Sequence, residues 1–215
     1  MSLKEILLSL LAISIVVLFP HTGLIPIWFG YSIPILIFVW LWLKRTKENF
    51  TDIGFSFKRF ELKSFFVAAV AAVFIFSFLN WVFFPLLEKL VNLEPANLAD
   101  FTSIKGNTGF YIFMLLMSWL VGGFYEEIVF HGFIFTRIEK MITGKYALVI
   151  SFLITNTIFA AYHLQLGTSG MINAFIAGSF YHALMLTYKR NLWYSIFCHA
   201  IFDTIAITFI YDGYW

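Results

Sequence analysis

Cysteine, charged residues and internal repetition are what this sequence has least of, and each scarcity excludes something. The single cysteine, Cys198, rules out an internal disulfide. With nothing nearby that would obviously favour a thiolate, it reads as a small buried apolar residue and not as a nucleophile. Charged residues make up 12% of the chain, against about one-quarter in soluble domains. No internal repeat, low-complexity tract or second domain is visible, so residues 1–215 read as a single integral membrane domain.

What is present is apolar: 61% of the residues are hydrophobic and 21% aromatic. Residues 3–19 and 24–43 form two hydrophobic runs separated by Pro20-His21-Thr22-Gly23. A cleaved signal peptide is the competing reading of the first run, but no small-residue cleavage pattern precedes Pro20 and another span follows at once. Residues 44–63 form the longest polar stretch, with six Lys/Arg against three acids. Its spaced Phe50, Phe55, Phe57 and Phe60 suit either a segment lying in the membrane interface or an ordinary solvated loop. Further spans are expected at 64–87, from near 110 to about 141, and at 146–163, 171–188 and 192–211. The fold class is therefore all-α, a polytopic membrane protein with a bundle of about seven transmembrane helices.

The formal charge of +2 matters less than where the basic residues lie. Lys4, Lys44, Arg45, Lys47, Lys58, Arg59, Lys63, Arg137, Lys140, Lys145, Lys189 and Arg190 fall on one side of this arrangement, with Lys89 and Lys105 on the other. The positive-inside rule then puts the N-terminus in the cytoplasm and the C-terminus, with Tyr211, Tyr214 and Trp215, outside the cell membrane. The formal glycosylation sequon Asn49-Phe50-Thr51 falls on the cytosolic side and is discounted.

Inside the expected spans the ionisable residues are few: Glu126, Glu127, His131, His163, His182, His199 and Asp203. Such residues are costly in a bilayer and mark functional sites by default. Glu127 and His131, Phe159 and His163, and His199 and Asp203 are each four apart, so each pair shares a helix face. At about 1.5 Å per residue, Glu126 lies roughly 22 Å before the turn near Met141 and His163 roughly 26 Å after that turn's end near Lys145-Tyr146. His199 and Asp203 lie roughly 12 to 20 Å beyond the Arg190 turn. Three helices thus bring the cluster to similar depth, with His182 shallower.

Burial disfavours the charged form of a carboxylate, and a neighbouring like charge disfavours it further for one of a pair, which suits general acid–base work near neutrality. Histidines opposite such a pair can orient a water or bind a developing oxyanion. The same residues could hold zinc, although the H-E-x-x-H signature is absent. An enzyme, a proton-coupled transporter or channel, and a non-catalytic membrane partner all remain open on this evidence.

The ordered motifs E-E-x-x-F-R/H-G at Glu126 to Gly132, F-x-x-x-H at Phe159 to His163, and H-x-x-x-N/D at His199 to Asp203 resemble the CPBP family. This family comprises CAAX proteases and bacteriocin-processing (Abi) proteins, and the resemblance spans a core of about residues 110–203. It implies an intramembrane endopeptidase in which Glu126 activates water with His163 beside it. Glu127, with His131 and Phe159, would support the site, and His199 and Asp203 would stabilise the oxyanion. The substrate expected is a peptide or protein, membrane-embedded or lipidated, from C-a-a-X processing or bacterial pheromone and bacteriocin processing. Membrane lipids are the other expected partner, and nucleic acid is not. No cofactor is required, with zinc on Glu126, His163, His199 and Asp203 as the alternative, and non-catalytic self-immunity as a second one. Two residues depart from the commoner pattern: His131 stands where many members have Arg, and Asp203 where better-studied enzymes have an amide. An ionised Asp203 cannot donate to an oxyanion, so it would be protonated, orient His199 or help bind a metal.

Overall fold

A computed structural model describes residues 1–214 and contains no strand among them; Trp215, one of the C-terminal aromatics expected outside, lies outside the described residues. Ser2 opens α1 (Leu3–Thr22) by accepting a hydrogen bond from the Glu5 amide at 3.3 Å, and Gly23, at φ 67°, ends it. α2 is Ser32–Arg45, and α3 is Leu62–Leu90. Asn107 caps α4 (Thr108–Met141) through the Phe110 amide, at 3.1 Å. α5 (Ala147–Tyr162) and α6 (Gly167–Thr187) follow, and Asn191 caps α7 (Leu192–Asp212) through the Trp193 amide.

Helices occur where the hydrophobic runs place them, but the expected seven spans are not reproduced. Among the described residues four helices, α1, α3, α4 and α7, are long and apolar enough to cross a membrane. The count is five if Ala147–Tyr162 and Leu164–Thr187, bent by 59° at His163, make one span. Length is the physical reason for two of the expected spans: the 14 residues of α2 and 16 of α5 reach about 21 and 24 Å, short of a hydrocarbon core of about 30 Å, whereas α6, at 21 residues, is long enough and falls short in apolarity.

Among the described residues two helices contain π winding. α3 contains a π turn, Leu79–Phe83, and Pro85 follows in the first turn of the α-helix that resumes at Phe84, where its missing N–H is tolerated. α4 is π-helical over Ser118–Ile134, which includes both glutamates and His131. Such wide winding is rare and concentrates at functional positions.

Close approach at the centre depends on small residues. A Cβ on Gly123 would lie 2.7 Å from the Ala200 Cβ and 2.8 Å from the Ile196 carbonyl, so only glycine lets α4 touch α7 here. Gly178 on α6 likewise makes room for the Phe159 ring of α5.

One end of the bundle is tied by the segment between α2 and α3. Gly54, at φ 97°, accepts from the Leu192 amide, and Arg59 donates to the Lys189 and Arg190 carbonyls at 2.7 and 3.0 Å. Glu48 pairs with Arg137 at 2.6 Å and with Lys140. The phenylalanines of this segment divide: Phe55 is buried against Phe124 and Trp193, whereas Phe57 is exposed.

Candidate functional site

Adjacent on the π-helical stretch of α4, Glu126 and Glu127 face different surroundings. Glu127 is fully buried and holds two histidines, one on each oxygen: His131 Nδ1 at 2.7 Å from Oε2 and His199 Nδ1 at 2.9 Å from Oε1. Glu126 has no such direct partner. Its Oε2 lies 3.9 Å from His163 Nε2 and 3.9 Å from His199 Nε2, both beyond a direct hydrogen bond and close enough for one small group to touch all three.

His163 sits at the C-terminal end of α5, where the helix breaks, and its Nδ1–H donates to the Phe159 carbonyl at 2.9 Å. That bond caps an otherwise open helix carbonyl and leaves Nε2 turned to Glu126. His199 is sandwiched: Tyr181 of α6 stacks on it with ring centroids 4.7 Å apart, and Phe159 meets it edge-on at 5.9 Å. Phe159 also touches the rings of His131 and His163, so one side chain packs against three of the site's histidines. Asp203, one turn on from His199, places Oδ2 3.6 Å from His199 Nε2 and is the least buried of the group.

All of the residues singled out from the sequence are therefore gathered by four helices, α4, α5 with its break, α6 and α7. Glu126, His163, His199 and Asp203 line one wall of a cavity of ≈ 950 Å³, whose remaining lining is largely apolar and includes Phe84, Phe101, Met114 and Val121. Glu127 and His131 lie behind that wall, away from the cavity. Glu127, not Asp203, accepts the Nδ1–H of His199. Among the described residues no group of three or more His, Cys, Asp or Glu side chains is found in a metal-holding arrangement.

Several contributors escape sequence reasoning. Gly122 faces Asp203 so closely that a Cβ there would strike its carboxylate. Tyr31, from outside the matched core, and Tyr162 line the cavity beside Glu126. Asn156, fully buried on α5, accepts from His131 Nε2 at 3.2 Å and reaches His182 Nδ1 at 3.0 Å. The available signals were the paired glycines at 122–123 and an amide two turns before His163 in an apolar helix.

Searches of curated proteins and of solved structures return no match. Four to five apolar helices among the described residues make this a multi-pass membrane protein, and residues 108–205 match the family model for type II CAAX prenyl endopeptidase Rce1-like proteins, in agreement with the CPBP resemblance carried by the three motifs.

Proposed function

We propose that this protein is an intramembrane endopeptidase that hydrolyses a peptide bond with water activated by Glu126. The observation that carries this reading is the convergence of Glu126 Oε2, His163 Nε2 and His199 Nε2, at 3.9 Å from the carboxylate oxygen in each case, on the wall of a largely apolar cavity. A water about 2.8 Å from both Glu126 and His163 would be held by hydrogen bonds to each. Glu126 takes its proton as the oxygen attacks the substrate carbonyl, then returns that proton to the departing amine as the C–N bond breaks. His163 Nε2 accepts the water's second hydrogen.

His199 is turned by the bond from its Nδ1–H to Glu127, so Nε2 faces the reacting centre. A hydrogen on Nε2 donates to the oxyanion of the tetrahedral intermediate, and Asp203 at 3.6 Å favours its presence electrostatically. Asp203 thus acts on His199 and not directly on the oxyanion. This reading needs no cofactor. Its substrate is a peptide or protein presented from the membrane, lipidated or not, including a pheromone or bacteriocin precursor, in a cell membrane with the N-terminus cytoplasmic and the C-terminus outside.

The test is cleavage of a labelled peptide library by purified protein. Glu126→Gln should lower the rate by roughly 10²–10⁴-fold, and His163→Ala should also abolish most of it. Unchanged cleavage in both variants would overturn the assignment. Stoichiometric zinc that is lost in His199→Ala, with activity lost on chelation, would replace it with a metalloprotease. A wild-type protein that cleaves nothing, while glutamate variants keep a self-immunity phenotype, would favour a non-catalytic peptide-binding role.

A further inference from the structure

Behind the cavity wall runs a buried chain of hydrogen bonds that the reaction above does not use directly. It starts at the Phe152 carbonyl and passes through Asn156, His131 and Glu127 to His199, with His182 as a branch. Asn156, Glu127, His131 and His182 have no solvent exposure. A buried network of this kind is costly unless each member is satisfied, and its polarity has to be consistent from end to end.

The polarity can be worked out from its fixed end. A backbone carbonyl only accepts, so the Asn156 atom 2.8 Å from Phe152 O is the amide nitrogen. The same nitrogen donates its second hydrogen to His182 Nδ1, at 3.0 Å. The hydrogen of neutral His182 is then on Nε2, which has no hydrogen-bond partner among the described residues and lies in a cage formed by Phe135, Phe152 and the His131 ring. Asn156 Oδ1 is left pointing at His131, and because it only accepts, His131 Nε2 must carry a hydrogen. A single hydrogen then lies between His131 Nδ1 and Glu127 Oε2, whichever of the two holds it. Glu127 Oε1 remains an acceptor, so His199 carries its hydrogen on Nδ1 and turns Nε2 into the cavity.

We propose that Asn156, held by the Phe152 carbonyl and His182, is a positioning residue that sets the hydrogen-bond direction of the whole site through His131 and Glu127. In this sequence His131 stands where the resembling family commonly has arginine, whose donors need no setting because guanidinium has no acceptor. Histidine can point either way, and the amide behind it removes that freedom. His182 is the second half of the device, because its acceptor Nδ1 keeps the Asn156 amide from flipping.

The inference rests on the endopeptidase reading for its catalytic consequence only, and its first test does not depend on that reading. Imidazole ¹⁵N spectra of the full chain in detergent, assigned by single histidine substitutions, should show His131 protonated at Nε2 in the wild type. Asn156→Leu should move the His131 and His199 nitrogen signals. If both stay where they are in a folded Asn156→Leu protein, the proposal is overturned. His182→Leu should reproduce the shift in part, and His182→Asn, which returns an acceptor near Nδ1, should reverse it; equal spectra for these two variants would also overturn it.

The second test reads peptide cleavage. Asn156→Leu should lower kcat about tenfold, with KM nearly unchanged. In a His131→Arg background, where the donors are permanent, the same substitution should cost little, and additivity in that double-mutant cycle counts against the proposal. Spectral shifts without any wild-type cleavage would leave the positioning network standing and remove the endopeptidase reading.

Discussion

α1 and α3 on one side, α4 and α7 on the other, are all apolar helices, yet the more apolar pair is the less buried. Of the span windows of α1 and α3, 22% and 28% are buried, against 50% and 56% for α4 and α7. In water this order would be reversed. Lipid tails are as apolar as leucine, so nothing drives an apolar face inward, whereas polar side chains and small residues find partners only inside the protein. α4 and α7 are central because they carry Glu126, Glu127, His131 and His199, and because Gly122 and Gly123 let them touch. Val70 on α3 and Leu7 on α1 are exposed for the complementary reason.

The sharpest way to break this contrast is to remove the buried carboxyl that two histidines share at its centre. Glu127→Ala leaves His131 and His199 without their shared acceptor and should destabilise the protein by about 3–5 kcal/mol, read as thermal unfolding in detergent. Next in size is Gly123→Ala, which sets a methyl against Ala200 and the Ile196 carbonyl and should cost about 1–3 kcal/mol. Gly109, in the same helix, has nothing nearer than 3.7 Å to a Cβ, so Gly109→Ala is the control and should leave the unfolding temperature near that of the wild type.

A smaller effect is expected where the segment following α2 meets α4. Burial pushes the Glu48 carboxyl up, but hydrogen bonds from Lys140, Thr46 and Arg137 outweigh it and hold the group below the ordinary carboxylate range. A lowered folded-state value means the contribution is fully present above the unfolded value and is lost as pH falls through the folded one. Unfolding temperature measured against pH should therefore fall on the acid side in the wild type and less so in Glu48→Gln; parallel curves would contradict this role. The smallest effect belongs to the lipid-facing helices: Val70→Ala, 73% exposed, should change stability by less than about 0.5 kcal/mol.

Much of the site was legible because ionisable residues are rare in apolar helices. The i,i+4 spacing of Glu127 and His131 corresponds to a real 2.7 Å contact, and counting rise per residue brought α4, the end of α5 and α7 to a common depth. The span count was not legible, because hydrophobic runs at 24–43 and 146–163 give helices of only 14 and 16 residues. Hydropathy reports that a run is apolar and is silent on where its backbone stops being helical. The loop Phe residues illustrate the same limit: identical side chains at 55 and 57 both reach the Trp193 ring, yet Phe55, which also packs edge-on against Phe124, is buried and Phe57 is exposed.

By itself the sequence determined that this is a helical membrane protein, which seven ionisable residues lie inside it, and in what order three short motifs present them. These follow from composition and spacing, which need no partner. The tertiary structure decided who meets whom: that Glu127 rather than Asp203 holds His199, that Glu126 alone of the two glutamates faces the cavity, and that Asn156 stands behind His131. Those choices depend on the rotation of each helix about its axis. In α4 the winding of Ser118–Ile134 changes from i→i+4 to i→i+5 hydrogen bonding, so the face each side chain takes drifts from the one a regular helical count gives.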